Sequence, residues 1–121
     1  MIGYATIGTN DLEKAKAFYD AVLVPLGGRR SYTAQRMQGW SGRRGAMLAV
    51  ICPFNGEPAV PGNGNMVALT APSPEVITAV YDLAIANGGT DDGPPGDRGG
   101  GFWGAYFRDL DGNKVCVFKQ D

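Results

Sequence analysis

NDLEKAKAFYDAVLVPLGG at residues 10–28 and PSPEVITAVYDLAIANGG at residues 72–89 carry the same run of signals, and their repetition decides the fold. Each opens on a helix-capping residue. Asn10 stands three residues before Glu13 in a capping-box arrangement, and Ser73 is followed by Pro74, the favoured first-turn proline. Leu12, Ala15, Phe18, Tyr19, Val22, Leu23 and Leu26 recur at helical spacing, with Glu13, Lys14, Lys16 and Asp20 mostly opposite. The second stretch repeats the stripe with Ile77, Val80, Tyr81, Ala84 and Ile85. Both pass through a Tyr-Asp pair, Tyr19-Asp20 and Tyr81-Asp82, and both stop at a Gly-Gly.

Working outward, each helix sits in a similar frame of strands. Ile2 to Gly8 and Met66 to Ala71 precede the helices as apolar strand-like runs. Met47 to Cys52 is the kind of short apolar segment a sheet centre uses, and Arg30 to Gln38 and Trp40 to Arg44 supply weaker strand signals before it. In the second half, Phe102 to Arg108 and Lys114 to Lys119 read as strands joined through an Asp-Gly-Asn turn at 111–113. PFNGEPAVPGNGN at 53–65 carries three prolines and three glycines, which suits a linker. DDGPPGDRGGG at 91–101 reads as a turn-rich, mobile excursion. The expectation is an α+β chain forming one domain over residues 1–121, with a first strand-helix-strands module over about 1–52, a linker over 53–65 and a second module over about 66–121.

The bulk numbers narrow the function classes. A length of 121 residues is enough for one core without staples, and a net charge of −1 gives no global attraction to nucleic acid or anionic membrane. The amino terminus lacks a signal-peptide pattern and no run approaches a membrane span, so a cytoplasmic location is expected. Cys52 and Cys116 have no CxxC spacing and are read as reduced core thiols. The absence of histidine removes the usual proton shuttle and excludes Ser-His and Cys-His nucleophilic arrangements.

The segments IGYATIGTNDLEKAKAFYDAVLVPLGG and GAYFRDLDGNKVCVF resemble the vicinal oxygen chelate superfamily, which includes glyoxalase I, bleomycin-resistance proteins, fosfomycin-resistance enzymes and extradiol dioxygenases. The resemblance covers nearly the whole chain. It implies two βαβββ modules whose sheets curl into a partly closed mixed β-barrel, with the helices outside and a ligand cavity inside. Enzymes of that family hold a divalent ion through His, Gln or Glu on the first and last strands of each module. Matched strand by strand, those positions fall on Tyr4, on Met66, on Cys116 and in the apolar Leu48 to Val50 neighbourhood. A neutral phenol, a thioether and an unactivated thiol do not suit a hard cation, so no metal and no other cofactor are expected.

Other constellations are weak. Asp11, Glu13, Glu75, Asp91, Asp92, Asp109 and Asp111 sit at caps and turns, where helix dipoles and turn geometry account for them. Asp109 and Asp111 lack the further oxygens of a calcium loop, and GDRGGG has neither Walker A nor Rossmann context. Arg29, Arg30, Arg36, Arg43 and Arg44 fall in the strands after the first helix and are read as mostly facing water.

The resemblance favours a small-molecule-binding protein of the metal-free bleomycin-resistance type. Its aromatic and apolar cavity would draw on Tyr4, Trp40, Met66, Trp103, Tyr106, Cys116 and Phe118, with Arg98 to meet an anionic group. No catalytic residue is assigned. The alternative is a glyoxalase- or dioxygenase-like lyase or oxidoreductase using an atypical metal or none, and a scaffold domain is a third reading. The expected partners are a small-molecule ligand and a second copy of the chain in a homodimer, with no nucleic acid and no membrane.

Overall fold

In the computed structural model, which describes all residues 1–121, the two halves of the chain repeat one βαβββ order. The first comprises β1 (Tyr4–Gly8), α1 (Leu12–Val22), β2 (Arg29–Thr33), β3 (Met37–Ser41) and β4 (Met47–Ile51). The second comprises β5 (Val67–Thr70), α2 (Pro74–Ala86), β6 (Thr90–Asp97), β7 (Phe102–Arg108) and β8 (Lys114–Gln120). Each half makes a four-stranded mixed sheet, in the orders β1-β4-β3-β2 and β5-β8-β7-β6. In each, the first strand pairs parallel to the last and the remaining pairs are antiparallel.

The sheets do not close into a barrel, which corrects the partly closed barrel that the resemblance implied. No ladder joins β1 to β5, so both remain sheet edges. Thr6 to Gly8 on one edge and Met66 and Val67 on the other border a cleft that linker residues Val60, Gly62 and Asn65 also line. The backbone groups that would have closed the barrel therefore face a gap.

The helices form where the apolar stripes placed them, with one change at a cap. Asp11, not Asn10, accepts the Lys14 amide at 3.1 Å and caps α1. Asn10 instead exchanges two hydrogen bonds with the Ala59 backbone, at 2.7 and 2.9 Å, and ties the linker to the start of the helix. Ser73 caps α2 with Pro74 next to it, as expected.

Residues 91–97, expected as a mobile excursion, belong to β6. The reason is position. β6 is the outer strand of its sheet, where Pro94 and Pro95 need donate to no further neighbour, and its register shifts twice to fit them. Only Arg98 to Gly101 remain as the turn into β7.

One hydrophobic cluster of 16 buried residues runs through both halves, joining Phe18, Tyr19 and Val22 of α1 to Ile77 and Val80 of α2 and to Phe107, Val115 and Val117 of the second sheet. A buried polar clamp crosses the same boundary. The Tyr19 hydroxyl donates to Asp109 Oδ2 at 2.6 Å, and the Asn113 side chain donates to Asp109 Oδ2 at 3.0 Å and to the Gly8 carbonyl at 2.9 Å. Asp109 Oδ1 accepts the amides of Asp111 and Asn113, each at 2.9 Å. The Asp109 carboxylate is thus occupied by the amides and the Asn113 side chain of its own turn and by the Tyr19 hydroxyl of the other half. Its role is to hold the Asp-Gly-Asn turn against β1.

Candidate functional site

Strand alternation divides every strand between a helix-side face and an open face. On β1 and β5, Ile7, Val67 and Leu69 pack against the hydrophobic cluster. Tyr4 and Met66 point the other way and are 60% and 46% exposed. Along the ladders, Tyr4 lies opposite Met47 and Thr6 opposite Ala49, while Ala68 lies opposite Cys116 and Thr70 opposite Phe118. Because the halves repeat, Ala49 of the first sheet is the counterpart of Cys116 in the second, which resolves the Leu48 to Val50 neighbourhood to one residue.

The positions that the resemblance matched to metal ligands are thus Tyr4, Met66, Cys116 and, within the Leu48 to Val50 neighbourhood, Ala49 on the open face. This donor set does not fit a divalent ion. Alanine offers no donor, the phenol and thioether are neutral, and burial pushes the Cys116 thiol up from its ordinary value against the opposing pull of Tyr106, Arg98 and Lys114. No group of three or more Asp, Glu, Cys or His residues is placed to hold an ion elsewhere. A protonated thiol that is 1% exposed is also a poor nucleophile.

Two of the expected site residues lie on the wrong side of their sheets. Trp40 is buried against α1, with its ring 5.5 Å from that of Tyr19 and its Nε1 donating to Asp20 Oδ1 at 2.9 Å. Trp103 shares the parity of Ala105 and Phe107 on β7 and packs against the hydrophobic cluster. Trp40 is a core residue and Trp103 is partly buried against the core, so both rings serve the helix side of their sheets.

The remaining residues converge on the open face of the second sheet. Tyr106 and Cys116 are direct ladder partners, and Phe118 pairs with Gly104 on the same face. Phe102 stacks on Phe118 with ring centroids 5.2 Å apart and planes within 5°. Arg98 crosses from the β6–β7 turn to lie 5.6 Å from the Tyr106 ring centroid, and Lys114 approaches the same ring at 5.2 Å. Lys114 also pairs with Asp92 at 3.5 Å, which Arg108 shares at 3.0 Å. Gly104 and Gly96 keep the centre of this face low, since a Cβ at Gly104 would meet the Phe102 ring at 2.8 Å.

This face leads at Met66 and Lys114 into the cleft between the two sheet edges, a space of about 560 Å³ walled by Thr6, Gly8, Val60 and Asn65. Tyr4 stands on the same open side of β1 but does not line the cleft. Lys114 and Phe102 were missed in the sequence, although their parity with Cys116 and Tyr106 was a usable signal. Val60 and Asn65 carried none, because the path of the linker is not periodic.

A chain of this geometry can be placed among known proteins. The family profile described as Glyoxalase/Bleomycin resistance protein/Dioxygenase superfamily matches residues 1–117. The fold is similar to a glyoxalase/bleomycin resistance protein from Albidiferax ferrireducens T118, at 38% identity and TM-score 0.91, covering 100% of this chain and 99% of that one. It is also similar to a glyoxalase/bleomycin resistance protein/dioxygenase from Nocardioides, at 27% identity and TM-score 0.67, covering 98% and 82% of the two chains. A lactoylglutathione lyase from Agrobacterium tumefaciens shares the fold at 20% identity and TM-score 0.72, with 98% and 92% covered. No curated protein gives a significant match. No helix is long and apolar enough to cross a membrane. By the extent of the profile match and the 38% identity to the first of these structures, the chain belongs to the glyoxalase/bleomycin resistance protein/dioxygenase superfamily.

Proposed function

We propose that the protein binds a small, flat organic molecule on the open face of its second sheet without using a metal ion. The observation that carries this reading is Tyr106, a ring flanked by Arg98 and Lys114 beside the stacked Phe102 and Phe118. Aromatic faces favour stacking with a planar ligand, and two cations at the rim favour an anionic or hydrogen-bond-accepting substituent over a cationic one. Met66 and Cys116 complete the apolar surroundings, and no catalytic role is assigned to them or to Tyr4. The open faces leave Tyr4, Tyr32 and Met66 exposed, and a second copy of the chain packing there, as a homodimer, would enclose the ligand.

Calorimetric titration with matched pairs of aromatic carboxylates and aromatic amines tests the reading. The carboxylates should bind more tightly, and Arg98→Ala with Phe118→Ala should weaken them about tenfold or more, a loss of about 1.4 kcal/mol. Preference for the amines, or stoichiometric Ni, Zn, Mn or Fe in the purified protein by elemental analysis, would overturn it. Light scattering decides the assembly, and a mass near the 12.7 kDa of one chain at all concentrations would remove the homodimer.

A further inference from the structure

The basic residues of this chain are unevenly spread. Of its 11 lysines and arginines, Arg29, Arg30, Arg43 and Arg44 crowd into one corner of the first sheet, whereas the Tyr106 face belongs to the second. Arg29 and Arg30 open β2, and Arg43 and Arg44 form the tip of the β3–β4 hairpin. The ladder sets Arg29 opposite Ser41, immediately before that tip. Between them lies a pocket of about 290 Å³ lined by Arg29, Arg30, Arg43, Ser31, Ser41 and glycine backbone, with no apolar side chain.

Charge within this corner is only partly compensated. Asp20 takes Arg30 in a two-pronged pair at 2.8 and 3.0 Å, and Asp20 is also held by the Trp40 indole. Glu13, the other nearby acid, bonds Lys16. Arg29, Arg43 and Arg44 enter none of the ion pairs of the molecule. Three uncompensated guanidinium groups raise the local potential, and an anion relieves that repulsion. The pocket adds hydroxyl donors. Ser31 and Ser41 bond one another at 2.8 Å, which leaves one hydroxyl hydrogen free to turn toward a guest.

We propose that the pocket between the start of β2 and the β3–β4 hairpin binds the phosphate-type dianion of a small phosphorylated compound. Forked guanidinium donors match the oxygens of a phosphate, and a recess with hydroxyl donors and no apolar wall suits a compact, fully hydrophilic group. Its size favours one or two phosphoryl groups over an extended polyanion, in keeping with a chain whose net charge is −1.

Titration of inorganic phosphate and pyrophosphate, followed by calorimetry at low and high sodium chloride, tests the assignment. Binding with a dissociation constant of about 1 mM or below, weakened by salt, is expected. Arg29→Ala with Arg43→Ala should weaken it at least about tenfold, while Lys14→Ala with Arg36→Ala, which removes two charges elsewhere, should leave it within about twofold. Circular dichroism melting confirms that both double variants are folded. Arg29→Lys with Arg43→Lys serves if the alanine pair unfolds, and should still lose affinity because lysine lacks the forked donors. No detectable binding, equal loss in both double variants, or equal affinity for acetate would overturn the proposal. Much tighter binding of a single-stranded oligonucleotide than of pyrophosphate would overturn it in favour of a polyanion surface.

Discussion

Tyr19 and Tyr81 occupy the same place in the two repeats, each on the inner stripe of its helix and each followed by aspartate. Both hydroxyls donate to a carboxylate, yet the two bonds do different work. Tyr19 is 1% exposed and reaches across the halves to Asp109 at 2.6 Å, within the turn that leads into β8. Tyr81 reaches Asp91 at 2.8 Å at the solvent-exposed start of β6, inside its own half. A repeated sequence signal thus fixes the element and its inward face. What the polar tip then meets depends on how the two copies are docked, and docking is not repeated.

That contrast is broken most severely at Asp109. Its carboxylate satisfies Tyr19, Asn113 and two turn amides at once. Asp109→Ala should cost about 3–5 kcal/mol in chemical denaturation, because it orphans several buried donors together. A loss below about 1 kcal/mol would show that water replaces the carboxylate and that the clamp does not join the halves. Next in size are Ile7→Ala and Leu69→Ala. Both side chains are half-buried against the shared cluster, so each should cost about 2 kcal/mol, the lower end of the range for aliphatic truncation. Near-silent variants would mean that the strand faces are reversed, and the assignment of Tyr4 and Met66 to the open side would fall with them.

The same physics explains what was legible beforehand. Helix stripes and strand alternation are local, so the two strand-helix-strands units and the Ser73 cap could be read directly from the sequence, whereas the βαβββ order and the choice of Tyr4 and Met66 rested on the family resemblance. Trp40 and Trp103 were misplaced because an aromatic residue is a plausible resident of either face, and only the register against Leu48 and Phe107's neighbours selects one. β6 was hidden because proline and glycine normally interrupt strands, and its survival depends on being the outermost strand, a property of topology. The open sheets and the Arg29–Arg43 pocket depend on how distant segments meet, which carries no periodic signature.

Tyr19→Phe sharpens the comparison through pH. Burial first, and the Asp109 charge second, push the Tyr19 phenol well above its ordinary value of 10.0. The folded protein therefore keeps this proton more firmly than the unfolded chain does. Its contribution is fully present below about pH 10 and is lost as pH rises from there through the folded value. At pH 7 the substitution should cost about 1–2 kcal/mol. Between about pH 10 and 11.5 the variant should lose stability less steeply than the parent, measured by denaturant midpoints across that range. Parallel slopes would show that Tyr19 ionises freely and is not the buried clamp described.

Tyr81→Phe is the smallest expected effect and completes the comparison. Its hydroxyl bond lies in solvent, so water replaces the hydroxyl as donor to Asp91 when it goes, and Asp91 keeps its second partner, the Gly93 amide at 2.9 Å. The phenyl ring retains the packing of the tyrosine ring against the cluster. The cost should be within about 0.5 kcal/mol at pH 7, as for surface substitutions that orphan no buried group. A double-mutant cycle with Asp91→Ala should give a coupling of similarly small size, whereas Tyr19→Phe with Asp109→Asn should couple by about 1 kcal/mol or more. Equal couplings would mean that burial does not distinguish the two bonds. The difference between the repeats would then lie in the backbone of β6, where Gly93 sits at φ 144°, and Gly93→Ala would become the variant that separates them.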